Sequence, residues 1–283
     1  MNRRSFLKKV VGSMFGIAGI SGGTYYYARN IEPELLTMQQ LTITDSRIPS
    51  SFENFKIIQF SDTHIGFHYN LEQFEKLTAE INKLNPDLIV FTGDLVDDPD
   101  HYHWDSKLTT LLRNLHAPYG KYWVYGNHDH GGYGTETIKK VMEDAQFTLL
   151  QNSHHVIERQ QDRILLAGID DVILGRPDLT KTMANTNSSL FTLLLAHEPD
   201  FADTTIQYPI DVQLSGHSHG GQVRLPFIGH LYTPIYAEKY VQGTYTFPNN
   251  RLTLYVNKGI GTTRLPYRFF CKPEISIYTL KPE

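Results

Sequence analysis

The 283 residues include a single cysteine, only two tryptophans and no excess of positive charge. With Cys271 alone, no disulfide can close within one chain and a cysteine-based zinc cluster is excluded. Any metal must therefore be held by His, Asp, Glu or Asn, and histidine is plentiful, at 13. A formal net charge of −4 offers no basic footprint for a phosphate backbone, so no nucleic-acid partner is expected. Apolar residues are not lacking. A content of 40% hydrophobic and 12% aromatic residues can bury enough surface to offset chain entropy, which excludes intrinsic disorder.

Charge is missing locally as well. After Asn2-Arg3-Arg4-Ser5-Phe6-Leu7-Lys8-Lys9 no charged residue occurs until Arg29. A basic start followed by a weakly apolar run reads as an export signal over residues 1–28. The paired arginines followed by Phe6, Leu7 and Lys8 resemble a twin-arginine signal, which implies the twin-arginine export machinery as a partner. The competing reading is a membrane anchor, because the uncharged stretch from Val10 to Ala28 approaches the ~20 residues a bilayer needs. Five glycines in that stretch favour the signal. Without residues 1–28 the body keeps 22 basic against 30 acidic residues, a net charge of −8. The expected destination is the cell wall or the extracytoplasmic face of the membrane, where a lone cysteine suits an oxidising setting.

Residues 29–51 read as a linker with an opening strand at Leu41–Ile43, and 52–283 as one catalytic domain. Short apolar runs at Phe55–Phe60, Leu88–Phe91, Tyr122–Tyr125, Ile164–Ile169, Leu193–Ala196, Val212–Leu214, Leu252–Val256 and Ile275–Leu280 have the length and composition of buried strands. Leu71–Leu84, Lys107–Leu115 and Glu136–Ala145 carry helical spacing. Strand alternating with helix, then mostly strands, implies a layered α/β domain.

Five of those runs end in a residue that can bind a hard or borderline metal. They lead into Asp62-Thr63-His64, Gly93-Asp94, Gly126-Asn127-His128-Asp129, His197 and Gly216-His217-Ser218-His219. The carboxyl ends of strands in an open α/β sheet lie along one edge, where ligand sites form. One such residue alone is ordinarily structural or a helix cap. Five coincidences of metal-ligand type point to a shared site.

This ordered series resembles the calcineurin-like metallophosphoesterase family, from about Phe55 onward. The resemblance implies a four-layer α/β/β/α sandwich with two divalent metal ions, for which Zn, Mn and Fe are candidates. It assigns Asp62, His64 and His219 to one metal, Asn127, His197 and His217 to the other, and Asp94 as the bridge. It implies hydrolysis of a phosphate mono- or diester by a hydroxide held between the metals. His128 matches the family's unligated histidine, which protonates the leaving oxygen, and Asp97 matches the position that orients it. A carboxylate there would raise the imidazole pKa.

The branch that acts on phosphoproteins has an arginine directly after that aspartate, whereas this chain has Asp98, which disfavours a phosphoprotein substrate. His130 and Gly131–Gly134 read as a loop that either contacts substrate or is merely solvated. The segment Asn257–Arg268, with Gly220-Gly221-Gln222, resembles an exported Gram-positive branch related to a pyrophosphatase that cleaves UDP-diacylglucosamine. Arg264 and Arg268 are the expected phosphate partners, the competing reading being a surface arginine that bonds a carboxylate or a loop carbonyl. A pyrophosphatase acting on a nucleotide lipid and a non-catalytic metal-binding surface protein are the alternatives. His68, His101, His103, His116, His154, His155 and His230 read as surface or structural.

Overall fold

The computed structural model describes residues 3–130 and 134–283. In chain order the strands are β1 (Thr37–Asp45), β2 (Lys56–Phe60), β3 (Leu88–Phe91), β4 (Lys121–Trp123), β5 (Phe147–Leu149), β6 (Ser153–Arg159), β7 (Asp162–Gly168), β8 (Thr192–Leu195), β9 (Val212–Ser215), β10 (Arg224–Leu225), β11 (Gly229–His230), β12 (Gly243–Thr246), β13 (Thr253–Val256) and β14 (Glu274–Pro282). The α-helices are α1 (Arg3–Tyr26), α2 (Leu71–Lys83), α3 (Ser106–Arg113), α4 (Thr135–Asp144), α5 (Leu179–Thr182) and α6 (Ala202–Thr205).

Two six-stranded sheets form, in the orders β1-β14-β2-β3-β4-β5 and β12-β13-β9-β8-β7-β6, beside a β10-β11 hairpin. Strands β2 to β5 run parallel, as do β7, β8, β9 and β13. Successive residues of a strand face opposite ways. Thus Ile57 and Val90 join Leu166, Leu193 and Leu214 between the sheets, while Ile58 and Ile89 pack outward with Phe74, Leu77, Leu111 and Ile138 from α2, α3 and α4. Ala167, Leu194 and Val256 pack under Leu179 and Ala202 on the far side. Covering both faces of each sheet explains why the strands read as continuous apolar runs. The result is the α/β/β/α layering.

Local sequence supports each layer. Asn70 accepts from the backbone N–H groups of Glu72 and Gln73, and the Gln73 side chain returns to the Asn70 N–H, a capping box that starts α2. Phe74, Leu77 and Ile81 then bury one face of that helix, each worth about 1.5–3 kcal/mol over exposure. The buried Lys121 ammonium donates to the carbonyls of Leu112, Arg113 and Ala145, which ties the ends of α3 and α4 to β4.

Strands β5, β6, β10, β11 and β12 have no counterpart among the expected runs. β6 and β12 are edge strands with one neighbour and largely unburied side chains, so nothing forces an apolar pattern on them. β1 extends well beyond Leu41–Ile43 and pairs in parallel with β14 from Thr37↔Glu274 to Asp45↔Pro282. α1 covers most of the expected signal segment, and no helix among the described residues is long and apolar enough to cross a membrane.

Candidate functional site

The parallel strands of both sheets deliver their carboxyl ends to one edge. Asp62 and His64 follow β2, Asp94 follows β3, His197 follows β8, and His217 and His219 follow β9. Asp62, His64, Asp94, His217 and His219 all have positive φ, between 43° and 65°, a region that non-glycine residues seldom occupy. Each left-handed turn redirects the chain as its strand ends, which lets side chains from five segments crowd one small volume. Gly126 is required by that crowding, since a Cβ there would overlap the Asp94 Oδ1 and the His197 ring.

Among the described residues three groups of ligand atoms result, each within 4.8 Å: two are fully buried, Asp62, His64 and His219, and Asp94, His197 and His217, and the third, half-buried, joins His64 to Asp97 and His128. His64 Nε2 lies 3.1 Å from His219 Nε2, and His197 Nε2 lies 3.1 Å from His217 Nδ1. The opposite ring nitrogens are held from behind: His197 Nδ1 bonds the Thr92 carbonyl at 2.6 Å, His217 Nε2 the Ile235 carbonyl at 2.9 Å, and His64 Nδ1 the Asp97 carboxylate at 3.0 Å. Each anchor fixes which nitrogen faces inward, as histidine ligands require. Asp94 Oδ2 lies 3.2 Å from His197 Nε2 and 3.4 Å from His64 Nε2, so this carboxylate stands between the groups. Asn127 Oδ1 is buried without a hydrogen-bond partner among the described residues. Facing imidazole nitrogens, a carboxylate between them and an orphaned amide oxygen form a donor set that fits two divalent cations.

Electrostatics agree with that fit. Burial lowers His217 to about 3 and His219 well below its usual value, which leaves both imidazoles neutral. Burial would raise the Asp94 carboxyl, yet His197, His128 and His64 hold it well below the carboxylate range. For His128, burial works downward, but the Asp94 charge and the bond to the Asp97 carbonyl raise it overall.

The structure brings all seven expected ligand positions to one edge and sets His128 beside them, its ring 4.5 Å from that of His64. One expectation is refined and one needs correction. Asp97 does hold His128, but through its backbone carbonyl, which takes His128 Nδ1 at 2.5 Å; its carboxylate bonds His64 and, 3.9 Å from His128 Nδ1, still adds to the upward shift of that histidine. The turn after β3 presents its carbonyl to one histidine and its side chain to the other. Arg268 cannot meet a substrate, because it is fully buried and donates to the carbonyls of Lys258, Gly261 and Cys271. Arg264 is exposed and lies over the Tyr232 ring at 4.9 Å. Asp98 points outward and pairs with His101. Of the loop at 130–134, residues 131–133 lie outside the described residues; His130 bonds Asp170.

Asp129 was missed. Its buried carboxylate accepts from the backbone N–H groups of Asp94, Leu95 and Gly126 at 2.7, 2.9 and 2.9 Å, and so locks the β3 and β4 turns together. The available signal was an acid closing a glycine turn directly behind two candidate site residues.

The sequence model described as calcineurin-like phosphoesterase matches residues 55–221. The chain is 46% identical to the metallophosphoesterase YkuE of Bacillus subtilis over 282 residues, covering 99% of this chain and 98% of that one. It is 29% identical to the phosphodiesterase YaeI of Escherichia coli, covering 99% of each. It is 27% identical to the UDP-2,3-diacylglucosamine pyrophosphatase LpxG of Chlamydia muridarum, covering 94% of this chain and 97% of the other.

Proposed function

Because the chain belongs to the calcineurin-like phosphoesterase family, we propose that this phosphoester hydrolase acts in the cell envelope, with two divalent metal ions, on a phosphate mono- or diester. The observation that carries the reading is the convergence of two buried three-residue ligand groups on Asp94, with His128 alongside. Asp62, His64 and His219 would hold one ion, Asn127, His197 and His217 the other, and Asp94 would serve both. Such a pair supplies Lewis acidity and a water acidic enough to attack phosphorus near neutral pH.

The protein's own groups set the rest. Thr92, Ile235 and Asp97 aim the ligand nitrogens. His128 has Nδ1 engaged by the Asp97 carbonyl, which leaves Nε2 to carry a proton to the leaving oxygen. Against the effect of burial, the Asp94 charge and the bond to the Asp97 carbonyl raise its pKa, which favours the protonated form that an acid needs. Export rests on the Arg3-Arg4 start and the uncharged run behind it. The similarity to LpxG supports a second reading, a pyrophosphatase acting on a nucleotide lipid.

The test is His128→Ala in protein stripped with chelator and reloaded separately with Mn, Zn and Fe. Metal content should be unchanged, and alkyl phosphate turnover should fall by about 10²–10⁴. Aryl phosphates with good leaving groups should suffer less. Unchanged turnover of alkyl phosphates removes the general-acid role. For export, an Arg3→Lys, Arg4→Lys variant should accumulate in the cytoplasm, and unaltered delivery to the envelope refutes the twin-arginine reading.

A further inference from the structure

An apolar cavity of 380 Å³ opens beside the metal-binding edge, with His219 in its wall. Val223, Leu231, Tyr232, Pro234 and Leu265 line it, and Arg264 stands at its margin. Gln222 holds two walls together, donating to the Thr263 and Leu265 carbonyls and accepting from the Thr263 N–H. A charged phosphoester alone has no use for this lining.

The surface around the cavity is apolar as well. Beyond Met38, nine large hydrophobic side chains are exposed among the described residues, and eight of them fall between 227 and 270. Phe227 and Ile228 form the tip of the β10-β11 hairpin, 109% and 71% exposed, and Phe227 holds a positive φ of 66°. A bulky apolar side chain in a strained conformation and in full contact with water contributes nothing to folding. Ile235, 60% exposed, directly follows the lining residue Pro234, and its own carbonyl anchors the candidate ligand His217.

The N-terminal helix leaves from this edge. Its last turn and the residues just after it pack on the rim, with Tyr25 against Tyr267, Tyr27 against Phe269, and the Ala28 carbonyl accepting from the Arg268 N–H. Phe269 in turn pairs with the base of the hairpin, through Arg224 and Gln222. Every described side chain from Arg3 to Tyr26 is exposed, and no charge occurs from Val10 to Ala28. A helix whose stretch from Val10 onward carries no charge, a strained apolar hairpin tip and an apolar cavity at the catalytic edge thus share one side of the molecule.

We infer that this side docks on a lipid surface, with Phe227 and Ile228 inserted among the acyl chains and the cavity receiving a chain of a lipid phosphoester as its headgroup enters the metal-binding edge. The inference rests on the phosphoesterase reading for the identity of the substrate, but the docking itself stands on the surface alone. Arg264, stacked on Tyr232 at the cavity margin, is placed to meet the lipid's anionic headgroup.

The experiment uses the full chain. In Phe227→Trp, vesicles of phosphatidylglycerol and phosphatidylcholine with brominated acyl chains should quench the added fluorescence and shift it to the blue, relative to the wild-type background. Absence of quenching while the chain sediments with the vesicles would show that α1 alone binds lipid and would overturn the docking surface. A blue shift that depends on protein concentration without vesicles would assign the face to a second copy instead. In Phe227→Ser, Ile228→Ser, hydrolysis of a long-chain phosphatidate in vesicles should fall by up to about a hundredfold, while a soluble chromogenic phosphoester is turned over as before. Equal turnover of both substrates by variant and wild type overturns the inference. If the wild type hydrolyses neither ester, the phosphoesterase reading fails while the quenching result still decides the docking.

Discussion

Asp129→Ala tests whether the candidate site depends on the clasp between the β3 and β4 turns. The carboxylate satisfies three buried backbone donors, two through Oδ2 (Asp94 and Gly126) and one through Oδ1 (Leu95). Each donor left unsatisfied costs about 1–3 kcal/mol, and some relaxation brings the sum to roughly 3–6 kcal/mol. That is a large share of the ~5–15 kcal/mol that holds a domain folded. At about 2–4 °C per kcal/mol for a domain of this size, the melting temperature should fall by roughly 10–20 °C. Asp129→Asn should be intermediate. Its single oxygen, placed at the Oδ2 position, keeps two donors but sets an amide N–H against Leu95. The assay is thermal unfolding followed by circular dichroism in chelator, so that metal binding does not mask the loss, with metal stoichiometry measured after reloading. Asp98→Ala, at an exposed position, is the control. If Asp129→Ala melts within a degree or two of that control, the clasp is not what holds the turns together.

Gly126→Ala places a Cβ against the Asp94 carboxylate and the His197 ring; the protein should fold but bind fewer than two metals, and full stoichiometry by elemental analysis contradicts the crowding argument. Arg268→Met strands the carbonyls of Lys258, Gly261 and Cys271, which should cost about 3 kcal/mol or more in urea unfolding; an unshifted midpoint would show that these bonds do not hold the segment. The third concerns pH. Burial would raise Asp170, but its bond to His130 at 2.6 Å holds it down to about 2, and the same bond raises His130. A depressed carboxyl gives stability that is present above about pH 4 and lost toward pH 2, and a raised histidine gives stability that is present below about pH 6.5 and lost as pH rises through its folded value. Asp170→Asn should therefore flatten the melting-temperature profile at both ends, and an unchanged profile shows that the pair contributes nothing.

The ligand positions were legible because they sit where strong strand signals stop, and a parallel sheet buried on both faces makes those signals continuous. What the sequence could not carry was direction. Asp97 reads equally well as a partner for His64 or His128, and only the turn after β3 decides that its carboxylate takes the first and its carbonyl the second. Arg264 and Arg268 stand four residues apart in a segment without regular periodicity, so no pattern says which one is buried. The hairpin that exposes Phe227 was invisible for the same reason: its apolar residues look like core until the fold leaves them outside.

The same physics explains why the site needs so much support. Five of its residues hold left-handed backbone conformations, each costing on the order of 1–3 kcal/mol. A local cluster of turns could not sustain that cost by its own contacts. Two sheets joined through a common core can, because every strained residue lies within four residues of the end of β2, β3 or β9, strands whose register is fixed on both sides. Asp129 then links the turns after β3 and β4 within the first sheet, and the Asp62 carboxylate accepts from the His217 N–H across the two sheets at 3.0 and 3.1 Å. The arrangement for binding metal is thus set by the layers before any ion arrives, and the layers, more than the ligands' own preferences, decide where each nitrogen and oxygen points.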